Sequence, residues 1–182
     1  MNKIIALVGM CGSGKSVACD YFLDKGYKRV YFGQVTMDIL KEKNLEANQT
    51  NEVVIRENLR KEYGMGAFAI LLLPKIKEYA QNSNVVLDGL YSWEELKILQ
   101  KEFENIKVIA IIADKKIRYE RLINRDIRPL TNEEAKGRDV SEIENLEKGG
   151  PIAYADYFAL NNNGLDEFYR NIDSIMERID NE

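Results

Sequence analysis

The sequence predicts an α/β protein built around a parallel sheet of about five strands. Short apolar runs alternate with segments of helical periodicity, which is typical of parallel strands joined by crossover helices. The helical segments carry apolar residues at a spacing near 3.6, and two of them begin with capping boxes. The expected strands are residues 4–8, 28–32, 85–87, 108–113 and 157–160.

Helices are expected between these strands because apolar side chains recur on one face of the connecting segments. Ile55, Leu59 and Tyr63 repeat every four residues. The longest apolar stripe comprises Leu165, Phe168, Tyr169, Ile172, Ile175, Met176 and Ile179. The capping boxes pair Ser92 with Glu95 and Thr131 with Glu134. These patterns predict helices that pack one face against the sheet.

Composition excludes several classes of chemistry. The chain has 182 residues, a length that suits one domain over residues 1–182. It contains no histidine, which excludes Ser-His-Asp triads, histidine zinc sites and histidine pH switches. Thirty acidic and 26 basic side chains give a net charge of −4, which argues against a nucleic-acid partner. Its two cysteines cannot form a disulfide framework.

The protein is expected to be cytoplasmic and without membrane association. The apolar run at residues 4–8 is shorter than the apolar core of a signal peptide. A second run, residues 67–73, reaches Pro74 long before it could span a bilayer.

The strongest motif follows the first predicted strand. Residues 9–16, GMCGSGKS, fit the pattern G-x-x-x-x-G-K-[ST] between a strand and a helix. The glycines allow a tight turn whose N–H groups converge on anionic oxygens at a helix N-terminus. Lys15 is expected to reach the β- and γ-phosphates, and the Ser16 hydroxyl to bind magnesium. The predicted ATP-binding residues here are Gly9, Met10, Cys11, Gly12, Ser13, Gly14, Lys15, Ser16 and Val17. The alternative is an ordinary glycine-rich turn.

Asp88 ends a buried strand and is followed by Gly89. Ligands of open α/β sheets bind beyond the carboxyl ends of the strands, so Asp88 is expected beside the phosphate loop. Such a carboxylate can hold magnesium through water or accept a proton from an attacking hydroxyl. The alternative is a turn former or helix cap.

Five of the ten arginines fall within 21 residues: Arg118, Arg121, Arg125, Arg128 and Arg138. The spacing of the first three places them on one face of a predicted helix, and Arg128 follows just before Pro129. Guanidinium groups can stabilise the charge that phosphoryl transfer spreads over equatorial oxygens. Arg121, Arg125 and Arg128 are therefore predicted catalytic residues, together with Lys15 and Asp88. The alternative is a solvated face with ion pairs.

Taken in order, these motifs resemble those of the P-loop nucleotide kinases, which include nucleoside monophosphate kinases, dephospho-CoA kinases and a set of kinase-like proteins related to both. The resemblance covers nearly the whole chain. Residues 9–16 match the phosphate loop, residues 87–89 the strand-end Asp-Gly, and Arg121 and Arg125 the lid arginines. It implies a three-layer P-loop NTPase fold with a small lid at about residues 115–150.

Two further matches extend the resemblance to the ligands. Residues 59–64 look like the acceptor-side helix of these kinases, which implies that Arg60 binds the phosphorylated acceptor. Residues 161–164 look like the loop near the adenine, which implies that Asn161 binds ATP.

The implied activity is ATP- and magnesium-dependent phosphoryl transfer to a small phosphorylated acceptor, expected to be a nucleoside monophosphate. Dephospho-CoA kinase is an alternative, although the acidic pair and the His-Pro of that family are missing here. Monophosphate kinases commonly follow Asp-Gly with an aromatic residue, Pro and Arg, whereas this chain has Leu90, Tyr91 and Ser92. A different class of function is an ATP-hydrolysing switch that acts through a partner. The acceptor, the donor base and the oligomeric state stay open.

Overall fold

The computed structural model describes residues 2–182, and in this part of the chain five parallel strands form one sheet surrounded by nine helices. The strands are β1 (Ile4–Val8), β2 (Lys28–Tyr31), β3 (Val85–Asp88), β4 (Ile106–Ile112) and β5 (Tyr157–Leu160). The helices are α1 (Lys15–Asp24), α2 (Gln34–Glu42), α3 (Gln49–Tyr63), α4 (Ala67–Asn82), α5 (Trp93–Glu102), α6 (Lys115–Ile123), α7 (Asn132–Glu144), α8 (Gly149–Ala153) and α9 (Leu165–Asp180). The predicted α/β class is therefore confirmed.

The sheet has the order β2-β3-β1-β4-β5, with β1 at its centre. β1 pairs with β3 on one side and with β4 on the other, so Leu7 lies opposite Asp88 and Val8 opposite Ala110. All neighbouring strands are parallel, and their carboxyl ends meet at one edge. Ligands of open α/β sheets bind beyond that edge. The loops after β1, β3 and β4 are therefore positioned to form one site.

Alternate residues of β1 enter two separate cores, because successive side chains of a strand point to opposite faces. Ile4, Ala6 and Val8 pack in the core that α2 to α5 cover. Ile5 and Leu7 pack in the core that α1 and α9 cover. Burial on both faces explains why this strand is an uninterrupted apolar run.

The predicted helical stripes form core faces except at their ends. In α9, the buried members are Phe168, Ile172, Ile175 and Ile179. Leu165, the first residue of that helix, is 55% exposed. In α3, Ile55 and Leu59 are buried, but Tyr63 at the last position is 40% exposed. Both exceptions stand at a helix terminus, where the stripe runs past the surface that the helix covers.

Pro74 lies inside α4 and does not end the helix. A proline in this position cannot donate a hydrogen bond to the carbonyl group of Ile70, four residues earlier. Ile70 is 41% exposed, so the missing hydrogen bond lies near the solvent-facing side of α4. Across residues 2–182, the structure has no helix that is both long enough and apolar enough to cross a membrane.

Both predicted capping boxes are present, but their surroundings differ. The Ser92 hydroxyl accepts a hydrogen bond from Glu95 N at 3.1 Å and donates one to the Met65 carbonyl at 2.7 Å. Ser92 is buried, and its second bond ties the start of α5 to the start of α4. The Thr131 hydroxyl accepts from Glu134 N at 3.2 Å at an exposed position.

We expect Ser92→Ala to destabilise the protein more than Thr131→Ala. Each change removes a helix cap, which costs about 1 kcal/mol. Ser92→Ala also leaves the carbonyl of the half-buried Met65 without this donor, which raises the total loss to about 2 kcal/mol. Urea denaturation of both variants measures the difference. Equal losses in the two variants would show that the Met65 contact contributes nothing.

Candidate functional site

The phosphate loop, residues 9–16, connects β1 to α1 at the carboxyl edge of the sheet. Gly9 and Gly14 have positive φ angles of 146° and 102°. A Cβ on Gly9 would lie 2.5 Å from the Ile111 carbonyl oxygen, and one on Gly14 would lie 2.2 Å from Asn161 Nδ2. Both positions therefore require glycine. The resulting loop carries its amides to the N-terminus of α1, an arrangement that binds phosphate oxygens.

Lys15 is folded back onto this loop. Its Nζ donates hydrogen bonds to the carbonyl oxygens of Gly9 at 2.7 Å and Met10 at 3.1 Å. Burial and the positive charge of Lys148 lower the pKa of Lys15 to about 8, against the opposing effect of the Glu142 carboxylate. The ammonium group thus lies within the loop, where a P-loop lysine contacts the phosphates of a nucleotide.

Asn161 and Arg121 hold the outer side of the phosphate loop. The Asn161 side chain donates from Nδ2 to the Ser13 carbonyl at 2.8 Å. Arg121 donates from Nη2 to the Asn161 carbonyl at 2.9 Å and from Nη1 to the Gly12 carbonyl at 3.5 Å. Burial lowers the pKa of Arg121. Asn161, predicted to bind ATP, therefore contacts the backbone of the loop, and it is not among the residues that line the adjacent cavity.

Asp88 lies at the end of β3, beside the phosphate loop, as its place at a strand end predicts. Its Oδ2 accepts a hydrogen bond and an ion pair from Arg29 of β2. The carboxylate is buried, and the neighbouring guanidinium compensates its charge. Since Arg29 uses only Oδ2, the other carboxylate oxygen is available for a ligand. Arg29 was not among the residues that the sequence singled out.

One cavity of about 400 Å³ joins these elements. Its lining includes the predicted residues Cys11, Gly12, Gly14, Lys15, Ser16, Val17, Asp88, Arg121 and Arg125. It also includes Tyr91, Leu122, Arg138, Glu142 and Lys148. Arg128 and Arg60 do not line it. Most of the residues predicted to bind ATP or to act in catalysis thus lie around one cavity, whereas Arg60, predicted to bind the acceptor, does not.

The arginine cluster needs a correction, because α6 ends at Ile123 and does not include Arg125. Asn124 caps the helix: its backbone N and its Nδ2 both donate to the Glu120 carbonyl. Arg125 extends into the cavity from the following loop and donates to the Arg128 carbonyl at 2.6 Å. One helix face therefore presents two of these guanidinium groups, not three.

The five arginines have different surroundings. The Arg118 guanidinium is buried and paired with Asp139 of α7, with distances of 2.6 and 2.8 Å. It also donates to the Cys11 carbonyl at 2.9 Å, so it links the loop to α7. The Arg128 side chain is 63% exposed, with Glu52 3.7 Å away. The structure thus provides no contact between Arg128 and the cavity.

Arg60 lies on α3 with its guanidinium over the Phe68 ring, at 5.4 Å from the ring centre. Its Nε is buried and has no hydrogen-bond partner among the described residues. Burial lowers the pKa of Arg60, which the Glu95 carboxylate opposes. An unpaired buried N–H on a cation is suited to an anionic ligand, but the structure does not place it in the donor cavity.

Sequence reasoning missed a group of charged side chains around Glu142. Glu142 accepts hydrogen bonds from Cys11 N at 3.0 Å and from Arg138 Nε at 3.3 Å. Its ion pair with Lys148 has a distance of 2.8 Å. Burial alone would raise the pKa of Glu142, but the cations Lys148 and Lys15 and the hydrogen bonds from Lys148 and from Cys11 N lower it. The only sequence signal was the spacing of Arg138 and Glu142, one helical turn apart.

Ser16 and Asp88 are the residues that suit a magnesium ion. Magnesium is commonly held by one or two protein oxygens, with phosphate oxygens and water completing its shell. The Ser16 hydroxyl and the Asp88 carboxylate line the same cavity and offer such a donor set. Within the described residues there is no cluster of three or more His, Cys, Asp or Glu side chains able to hold a metal. The residues present therefore fit a metal shared with phosphate.

The chain is similar to known proteins over nearly its whole length. A protein-family model described as an AAA domain matches residues 5–145. The UPF0200 protein of Sulfurisphaera tokodaii is 34% identical to it over 181 residues, covering 97% of each chain.

Two solved kinases have the same fold. The shikimate kinase of Bacteroides thetaiotaomicron has a TM-score of 0.61 at 15% identity and covers 98% of both chains. The dephospho-CoA kinase of Campylobacter jejuni has a TM-score of 0.56 at 17% identity, covering 98% of this chain and 97% of that chain. The predicted resemblance to P-loop nucleotide kinases is therefore confirmed at the level of the fold.

We expect Arg118→Met to destabilise the protein by about 3 kcal/mol, because it leaves the buried Asp139 carboxylate without its partner. The matched change Arg125→Met removes a guanidinium that bonds only to a loop carbonyl, so it should cost less than about 0.5 kcal/mol. Chemical denaturation measures both. A small loss in Arg118→Met would mean that the Asp139 pair does not hold α7 to the loop.

Proposed function

The chain belongs to the AAA domain family and to the UPF0200 proteins, and from this premise we propose that it is an ATP- and magnesium-dependent phosphotransferase. Its proposed acceptor is a small phosphorylated molecule, a nucleoside monophosphate. One observation carries the proposal: Lys15, Asp88, Arg121 and Arg125 line a single cavity beside the phosphate loop.

In this proposal the loop amides and Lys15 bind the β- and γ-phosphates of ATP. Ser16 and Asp88 would hold the magnesium ion. When bound, the ion neutralises charge on the phosphate oxygens. Arg121 and Arg125 stabilise the charge that develops on the transferred group, since both residues line the cavity that contains Lys15.

The transfer joins an acceptor phosphate oxygen to the γ-phosphorus and breaks the bond to the bridging oxygen, which leaves with ADP. A phosphate monoester has its second pKa near 6, so at neutral pH the attacking oxygen carries no proton. No general base is then required. Asp88 is therefore assigned to the metal, and Arg29 balances the charge of its buried carboxylate.

A second candidate is an ATP-hydrolysing switch that acts through a partner. The observation that favours it is the position of Arg60, the expected acceptor ligand, outside the donor cavity. Dephospho-CoA remains an alternative acceptor for the first candidate. A nucleoside monophosphate kinase, a dephospho-CoA kinase and a switch differ in which acceptor, if any, accelerates ADP release.

We expect at least one acceptor, in a panel of nucleoside monophosphates and dephospho-CoA, to raise ADP release above the rate with water. Lys15→Met should abolish this turnover and leave the fold intact, because it keeps the aliphatic stem and removes the charge that contacts the phosphates. Lys116→Met, at an exposed position of α6, is the matched control and should retain activity. If no acceptor exceeds water while ATP is still hydrolysed, the switch is favoured.

We expect Arg121→Lys to lower turnover at least about tenfold at saturating ATP, which corresponds to about 1.4 kcal/mol of transition-state stabilisation. Lysine keeps the charge but lacks the planar fork that can contact two phosphate oxygens. Steady-state kinetics and thermal melts measure rate and stability separately. Arg170→Lys, on the exposed surface of α9, is the control. A wild-type rate in Arg121→Lys would contradict the assigned role.

A further inference from the structure

A carboxylate reaches the phosphate loop from α7. Glu142 Oε2 accepts the hydrogen bond of Cys11 N at 3.0 Å. The amides of this loop are the groups that bind anionic oxygens in P-loop proteins. A phosphate oxygen that uses the Cys11 amide must therefore displace the Glu142 carboxylate, since two anions cannot share one N–H without strong repulsion.

Two cations are held at the same place by Glu142. Lys148 Nζ lies 2.8 Å from Glu142 Oε1, and Arg138 Nε lies 3.3 Å from the same oxygen. Lys148 is only 4% exposed, and its Nζ stacks over the Tyr91 ring at 4.1 Å from the ring centre. Both cations line the cavity that contains Lys15. Their present partner is thus a carboxylate that lies against the loop.

We propose that Glu142 competes with nucleotide phosphate for the Cys11 amide, and that phosphate binding transfers Lys148 and Arg138 from Glu142 to the phosphate oxygens. The inference rests on the proposed function, because it takes the cavity to be the donor site. It adds two phosphate-binding residues and one competing residue to that site.

The charges around the cavity favour this exchange. Lys15, Arg138 and Lys148 are three cations of the cavity lining, and Glu142 is the carboxylate that pairs with the last two. A di- or triphosphate offers more negative charge and more acceptor oxygens than one carboxylate, so it can satisfy all three cations at once. Glu142 can then turn away as a charged side chain toward solvent.

The attachment of α7 allows the side chain to move while the helix stays in place. Asp139 lies one turn before Glu142 and is fixed by its buried pair with Arg118. Arg118 in turn donates to the Cys11 carbonyl, so the anchor and the competing carboxylate meet the same loop residue. The exchange therefore needs a rotation of one side chain, and no separation of α7 from the loop.

The test is the affinity for inorganic pyrophosphate and for ADP, measured by isothermal titration calorimetry without any acceptor or turnover. We expect Glu142→Gln to bind pyrophosphate at least about fivefold more tightly than the wild type, the lower end of ordinary coupling between sites. Glu144→Gln removes an equal charge from an exposed position of the same helix and should leave affinity unchanged. A purely structural Glu142 would lower the melting temperature in Glu142→Gln without raising affinity.

Two more variants cover Lys148 and the chance that Glu142→Gln does not fold. Glu142→Asp keeps the negative charge but shortens the side chain by one methylene, so it should withdraw from Cys11 and also tighten binding. The double variant Glu142→Gln with Lys148→Gln removes both charges of the ion pair. It should bind pyrophosphate at least about fivefold more weakly than Glu142→Gln alone. If Glu142→Gln does not fold, Glu142→Asp takes its place in this comparison.

Two outcomes would overturn the inference, and they differ in what else they affect. If the wild type binds pyrophosphate and ADP, and the Glu142 variants bind them no more tightly, Glu142 does not compete and the proposed phosphotransferase activity is untouched. If neither the wild type nor any variant binds either ligand, the cavity is not a donor site and the proposed function fails with the inference.

Discussion

The phosphate loop imposes the constraint on which the site depends. Its amides can converge on an anion only if its carbonyl groups find other hydrogen-bond donors. Five consecutive carbonyl oxygens, at residues 9–13, accept side-chain hydrogen bonds. The donors are Lys15 for Gly9 and Met10, Arg118 for Cys11, Arg121 for Gly12 and Asn161 for Ser13. The C-terminal half of the chain thus completes a loop that forms near its start.

Because the loop carbonyl groups need donors, arginines that look equivalent in the sequence have different roles in the structure. Arg118 and Arg121 lie one turn apart on α6, and both donate to loop carbonyls. Arg118 is also paired with the buried Asp139, so the Asp139 carboxylate balances its positive charge. Arg121 has no carboxylate partner among the described residues and lines the cavity, so its positive charge is not balanced by an ion pair. The arginine cluster therefore includes a residue that holds the structure together and a residue that lines the cavity.

Buried charges connect the loop to its surroundings. Glu142 and Lys148 are both nearly inaccessible to solvent, where an isolated charge is costly. Their ion pair, together with Arg138, makes the burial tolerable. The same burial lowers the pKa of Lys148, while Glu142 opposes that shift. The attraction between these two side chains is therefore weakly screened, because both are buried.

The sequence by itself determined the sheet, the phosphate loop and the two capping boxes, because these depend on neighbouring residues. Short apolar runs predicted all five strands, with errors of up to two residues at their ends. The glycine and lysine spacing of residues 9–16 placed the loop, and the strand-end position of Asp88 placed it beside that loop. Periodicity extended α6 too far, since the Asn124 cap is a local hydrogen bond that helical spacing does not reveal.

Only the tertiary structure decided which charges meet. Arg29 contacts Asp88 because β2 and β3 are adjacent in the sheet order, and Glu142 contacts Cys11 because α7 packs against the loop. Neither pair is close in sequence, so no motif or period records it. A side chain's role here depends on its partner: Arg118 is held by Asp139, whereas Arg121 remains directed to the cavity. Which partner each side chain meets depends on how elements distant in the sequence pack together, and residue spacing along the chain does not reveal that packing.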